Sequence, residues 1–152
     1  MKKLIIKLSF LGLLLSLAPI CSYAESLEKL PATETSKQWE IVIGKPNATD
    51  PSLNKSDQPD LYNVYSMVVN NISNKDNVEL VRIEVYRDHP NSATEYELFT
   101  VDYEGEKPLK PALEHLNFPL YTKASKLKVI VTWSEKNDQT ERKYKEQFVF
   151  KQ

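Results

Sequence analysis

The sequence predicts an all-β protein, a single antiparallel sandwich of about seven strands that follows a cleaved export signal. Three observations predict it. Short runs of period-two apolar alternation recur along the chain, Pro, Asn, Asp and Gly punctuate them, and nothing after residue 24 sustains a helical period. The clearest run is residues 126–133, where Leu127, Val129, Val131 and Trp133 share one face of an extended chain while Lys126, Lys128 and Thr132 take the other. Asn137-Asp138 tolerates positive φ and closes a tight hairpin; folding about that centre sets Val131 opposite Tyr144 and Leu127 opposite Phe148. A lone hairpin is marginal in water, so its apolar face needs more sheet to cover it.

Residues 1–24 open the chain with Lys2, Lys3 and Lys7, continue uncharged from Leu8 to Ile20, and place the small residues Ser22 and Ala24 before a cut. That order is a secretory signal peptide with cleavage before Glu25. The apolar run falls short of the roughly 20 residues a spanning helix needs, so no membrane insertion is expected after cleavage. Cys21 raises a lipid anchor, but Ile20 stands where that chemistry favours Gly, Ala or Ser. The expected location is therefore secreted or extracytoplasmic, without an anchor through Cys21.

Residues 25–37 are polar, contain Pro31 and read as a flexible leader to a domain spanning 38–152. Trp39, Ile41 and Ile43 alternate in the first strand, which Gly44 ends. Residues 45–61 hold Pro46, Pro51 and Pro59 among Asn, Asp and Ser, and cannot keep a regular ladder. Residues 62–71 carry Tyr65, Met67 and Val69 on one face and Val64 and Val68 on the other. Next, residues 78–87 set Val81, Ile83 and Val85 inward and Arg82, Glu84 and Tyr86 outward, and Phe99, Val101 and Tyr103 form the core face of residues 95–103. Pro111 at the head of residues 111–115 predicts a single helical turn ending at His115. Leu116, Phe118 and Leu120 then alternate before the closing hairpin. Seven short strands with regular turns are the pattern of an immunoglobulin-like or fibronectin-like sandwich, with a small closed barrel as the alternative. Without an inter-sheet cysteine pair, Trp133 or Trp39 must fill the space such a disulfide occupies.

Loss of Lys2, Lys3 and Lys7 with the signal takes the chain's 20 basic and 21 acidic groups to 17 against 21, a net charge of about −4. No basic cluster remains, which argues against nucleic acid or an anionic membrane as partner. The only cysteine, Cys21, leaves as well, so the domain depends on its core alone. Catalytic signatures are missing: His89 and His115 have no metal-ligand spacing and read as surface residues, no thiol or nucleophile elbow remains, and two glycines cannot build a phosphate loop. We expect no cofactor and no catalysis.

Asp50, Asn54, Asp57 and Asp60 are oxygen donors of the type calcium takes, but no Gly stands at the sharp turn and Leu61 occupies the place of the closing Glu. A connecting loop is expected rather than a metal site. Tyr62, Arg82, Tyr86 and Tyr121 are the candidate binding residues, because exposed Tyr contributes large contact area at low entropy cost. Glu146 falls on the inward face of its strand, with Arg142 the nearest candidate partner. The expected function is a secreted or cell-surface, non-catalytic module binding an unknown protein or glycan. The alternatives are a small extracellular enzyme or inhibitor with its site in the loops, and a structural spacer.

Overall fold

A computed structural model describes residues 24–73, 77–104, 109–136 and 139–152. The alternating segments become nine strands: β1 Glu25–Ser26, β2 Ala32–Thr35, β3 Trp39–Gly44, β4 Tyr62–Asn71, β5 Val78–Asp88, β6 Glu95–Asp102, β7 Leu113–Tyr121, β8 Lys126–Glu135 and β9 Lys143–Lys151. They form two sheets, ordered β1-β9-β8-β5-β6 and β2-β3-β4-β7. Every pairing is antiparallel except β1 with β9. The sheets pack face to face as a sandwich, because each has one apolar face that only the other can cover.

Parity places the core. Trp39, Ile41 and Ile43 of β3 and Met67 and Val69 of β4 are fully buried, as are Ile83 and Val85 of β5 and Leu127, Val129 and Val131 of β8. Trp39 is 0% exposed and Trp133 7%. Their rings meet edge-on across the sheets, with centroids 5.9 Å apart and planes at 65°. Both tryptophans fill the space between the sheets.

The leader expected at residues 25–37 is instead part of the sandwich. Glu25 and Ser26 pair with Phe150 and Lys151, the Leu27 amide donates to the Lys151 carbonyl at 2.7 Å, and Ala32–Thr35 pairs with β3. Leu27 and Ala32 are buried. These two additions raise the expected seven strands to nine. Edge strands need only one or two inward side chains, so a polar composition conceals them.

Register departs from the simple reading in the terminal hairpin. Trp133 faces Tyr144, Val131 faces Glu146, Val129 faces Phe148 and Leu127 faces Phe150, a slide of two residues. The ladder already ends at Ser134 with Lys143, and Glu141 takes the left-handed conformation at φ 51°, so the connection is longer than a two-residue turn. Asn137-Asp138 lies outside the described residues. A slide of two keeps every side chain on its face.

Bulges account for the other departures. Val81 is the extra residue of β5 opposite β8, so the inward set runs Val78 and Leu80, then Ile83 and Val85. On β7, three residue steps from His115 to Phe118 oppose two from Met67 to Tyr65, and Leu116 is turned out to 37% exposure. The helical turn expected at 111–115 does not form: Leu113 already begins β7, and the Ala112 amide bonds the Val69 carbonyl at 2.7 Å. His115, expected at the surface, lies half-buried on the inner side against Phe99 (4.5 Å) and Phe118 (5.8 Å).

Two outcomes follow from this packing. Trp133→Ala empties a site bounded by Trp39 and the stacked Tyr144 ring, and should cost about 3–5 kcal/mol in chemical denaturation. Burial pushes the His115 imidazole below its usual value, against a smaller upward pull from the Asn117 backbone. The unfolded chain therefore takes that proton first as pH falls through about 6.5, so the folded form loses stability there. His115→Phe should reduce the drop in urea midpoint between pH 7.5 and pH 5; an unchanged drop would place the titration elsewhere.

Candidate functional site

Four strand ends converge at one end of the sandwich. β5 finishes at Arg87-Asp88 where β6 begins, and β4 begins where β7 ends, with Arg87 registered on Tyr96 and Tyr62 on Tyr121. The Arg87 guanidinium lies 4.7 Å from the centre of the Tyr96 ring and 5.1 Å from that of Tyr121, whose ring is in turn 5.9 Å from Tyr62. One cation thus joins the two sheets through two aromatic faces. Its Nη1 donates to the Asp88 carbonyl at 3.0 Å, and among the described residues no carboxylate forms an ion pair with it.

Asp88 holds this corner together. Its carboxylate accepts from the Ser125 amide (2.8 Å), the Ser125 hydroxyl (2.6 Å) and the Lys126 amide (3.0 Å), tying the end of β5 to the start of β8. Burial alone would raise its pKa, but these hydrogen bonds outweigh burial and hold the carboxyl below the ordinary range.

The loop of residues 45–61 forms one wall. Asp50 caps the short 3-10 turn Pro51–Asn54 by accepting from the Ser52 amide at 2.9 Å, and that bond lowers its pKa. Asn54 bonds both the amide and the carbonyl of Ala48, at 2.7 and 2.9 Å. Asn117 of β7 donates to the Leu53 carbonyl at 2.9 Å, which fixes the loop to the sheet. Between loop and strands runs an open groove of about 770 Å³, lined by Ser52, Leu53, Ser56 and Gln58 of the loop and by Tyr62, Arg87, Tyr96 and Asn117 of the strands. Leu53 and Tyr96 are over half exposed, at 51% and 57%.

Of the residues singled out in the sequence, the structure brings Tyr62 and Tyr121 into ring contact, with Tyr62 in the groove lining and Tyr121 outside it, against Arg87. Arg82 and Tyr86 lie instead on the outer face of β5. Arg82 pairs with Asp102 at 2.5 Å, the Tyr86 hydroxyl donates to Glu84 at 2.9 Å, and the Lys128 ammonium stands 4.9 Å over the Tyr86 ring while also pairing with Glu95. The bond to Glu84 raises the Tyr86 pKa. Asp57 lines the groove, and the Asp60 carbonyl accepts from Thr122 at 3.2 Å. Among the described residues, no three His, Cys, Asp or Glu side chains gather as a metal site would require. Arg87 and Tyr96 were missed in the sequence, although Arg87 continues the inward parity of Ile83 and Val85, an unusual place for a charge.

Fold and groove together define an all-β sandwich protein with an aromatic and cationic groove at one end. The chain belongs to the family of YozF-like secreted proteins, whose model matches residues 23–152. It is similar to the "Uncharacterized protein YozF" of Bacillus subtilis strain 168, at 30% identity over 144 residues that cover 85% of this chain and 83% of that protein. No solved structure matches it. The protein is secreted.

The loop's internal bonding generates an expectation about calcium. With Asp50 and Asn54 already bonded within the loop, millimolar calcium should leave the melting temperature unchanged, and Asp57→Ala should melt like wild type. A calcium-dependent rise of several degrees that disappears in Asp57→Ala would make the loop a metal site.

Proposed function

We propose that the protein is a non-catalytic binding module that takes a glycan or protein ligand in the groove between residues 52–58 and the ends of β5, β6 and β7. The observation that carries this reading is Arg87, stacked against Tyr96 and Tyr121 and without a carboxylate partner among the described residues. A guanidinium has five donors in a planar fork, and among the described residues only one hydrogen bond, to the Asp88 carbonyl, engages it. Stacking restrains the plane, so less entropy is lost when it receives an anionic group. Tyr62 and Tyr96 supply rigid apolar faces, and Ser52, Ser56, Gln58 and Asn117 supply hydroxyl and amide groups in the same lining. That mixture suits a sugar chain bearing carboxylates better than an apolar peptide. Acid–base catalysis has less support: His89 and His115 are outside the lining, and among the described residues Asp57 is the only acid in it.

The test is binding of the secreted protein to arrays of neutral and carboxylate-bearing oligosaccharides and acidic peptides, followed by calorimetry. Arg87→Ala and Tyr96→Ala should each weaken the best ligand about tenfold or more, as central aromatic and Arg contacts do, while Arg82→Ala on the outer face should not. Equal affinity in all three variants would remove the groove from the function, and preference for the peptides would replace glycan by protein.

A further inference from the structure

A second cavity, of about 370 Å³, opens where the edge of one sheet meets the edge of the other. Ala24, Glu34 of β2, and Glu146 and Phe148 of β9 line it. At this place the backbone nitrogen of Glu25 donates to Oε1 of Glu34 at 2.6 Å. Cleavage before Glu25, expected from Ser22 and Ala24, acts on that same nitrogen. It turns a neutral peptide N–H with one donor into an ammonium with three donors and a full charge.

The surroundings are already arranged for such a group. Glu34 is held by the pairing of β2 with β3, where it stands opposite Ile41. Glu25 is held by its pairing with Phe150, by the Leu27 amide on the Lys151 carbonyl, and by the burial of Leu27 immediately behind it. Glu146 lines the same cavity further along β9, and among the described residues its Oε2 is buried without a hydrogen-bond partner.

We propose that the mature chain's own N-terminal ammonium, freed at Glu25, pairs with Glu34 at the cavity between β2 and β9, so that removal of the signal peptide completes the fold. The unprocessed chain has the hydrogen bond but not the charge, and its first strand is held less firmly. The precursor is thus slightly less stable than its product.

The experiment begins with intact mass of the exported protein, which should start at Glu25; another start, or a diacylglyceryl group on Cys21, overturns the proposal. The mature chain is then compared with one carrying a short Gly-Ser extension ahead of Glu25, each with and without Glu34→Gln. The extension should lower the melting temperature by about 2–4 °C, Glu34→Gln should do the same, and the two together should lower it no further. Acylation of the Glu25 α-amine near neutral pH should be several-fold faster in Glu34→Gln. An extension without thermal effect, losses that add in full, or equal acylation rates would each overturn the proposal.

Discussion

The edge-on contact between Trp39 and Trp133 is the constraint on which the rest of the structure depends. The chain's only cysteine, Cys21, lies ahead of the sandwich, so no disulfide ties one sheet to the other. The two largest side chains of the core therefore set their spacing. The contact also fixes phase. Trp39 is inward only if Ile41 and Ile43 are, and Trp133 only if Val131, Val129 and Leu127 are, so one aromatic pair commits β3 and β8 to a single choice of face. Tyr144 then stacks on the outer side of Trp133 at 5.7 Å, extending the restraint to β9.

Bulges let strands committed in the core reach the positions needed at their ends. The extra residue on β5 keeps Ile83 and Val85 inward after Leu80, and that same parity carries Arg87 inward at the strand's end. The extra residue on β7 restores Phe118 and Leu120 to the core after His115 and brings Tyr121 opposite Tyr62. Removing either irregularity would shift an end residue to the other face and separate Arg87 from Tyr121. The groove is thus a consequence of where the ladders are broken.

This explains what was legible in the sequence. Alternation reports parity, so the inner faces of β3, β4 and β8 could be read directly, and Tyr62 and Tyr121 were recognisable as tyrosines at strand ends. Register and bulges leave no mark on hydropathy within one strand. They depend on what the partner strand presents, and so the β8–β9 pairing, the outward turn of Leu116 and the inward place of His115 were not readable. Arg82 and Tyr86 were correctly placed outward, but their partners Asp102, Glu84 and Lys128 come from neighbouring strands that the sequence does not align. Edge strands are the extreme case: β1 contributes only Glu25 and Ser26, and its place is determined by β9 rather than by its own residues.

A sandwich without disulfides must also protect the two seams where its sheets meet, and this one treats them differently. On the β6–β7 side the seam is closed by rings, with Phe99, His115 and Phe118 in mutual contact, a dry arrangement that tolerates Pro119 because an edge strand has a backbone position with no ladder bond to lose. On the β1–β2 side the chain itself crosses from one sheet to the other between Ser26 and Ala32, and the carboxylates Glu34 and Glu146 line the gap together with Phe148. Rings close a seam permanently from the moment the core forms. At the other seam a cation adds an ion pair with Glu34, and it can be supplied after the rest of the core is in place. The same asymmetry separates two of the molecule's charges: Arg87, a cation among tyrosines, is suited to meet something from outside, whereas Glu34, whose carboxylate accepts from the Glu25 nitrogen, is suited to meet the chain itself.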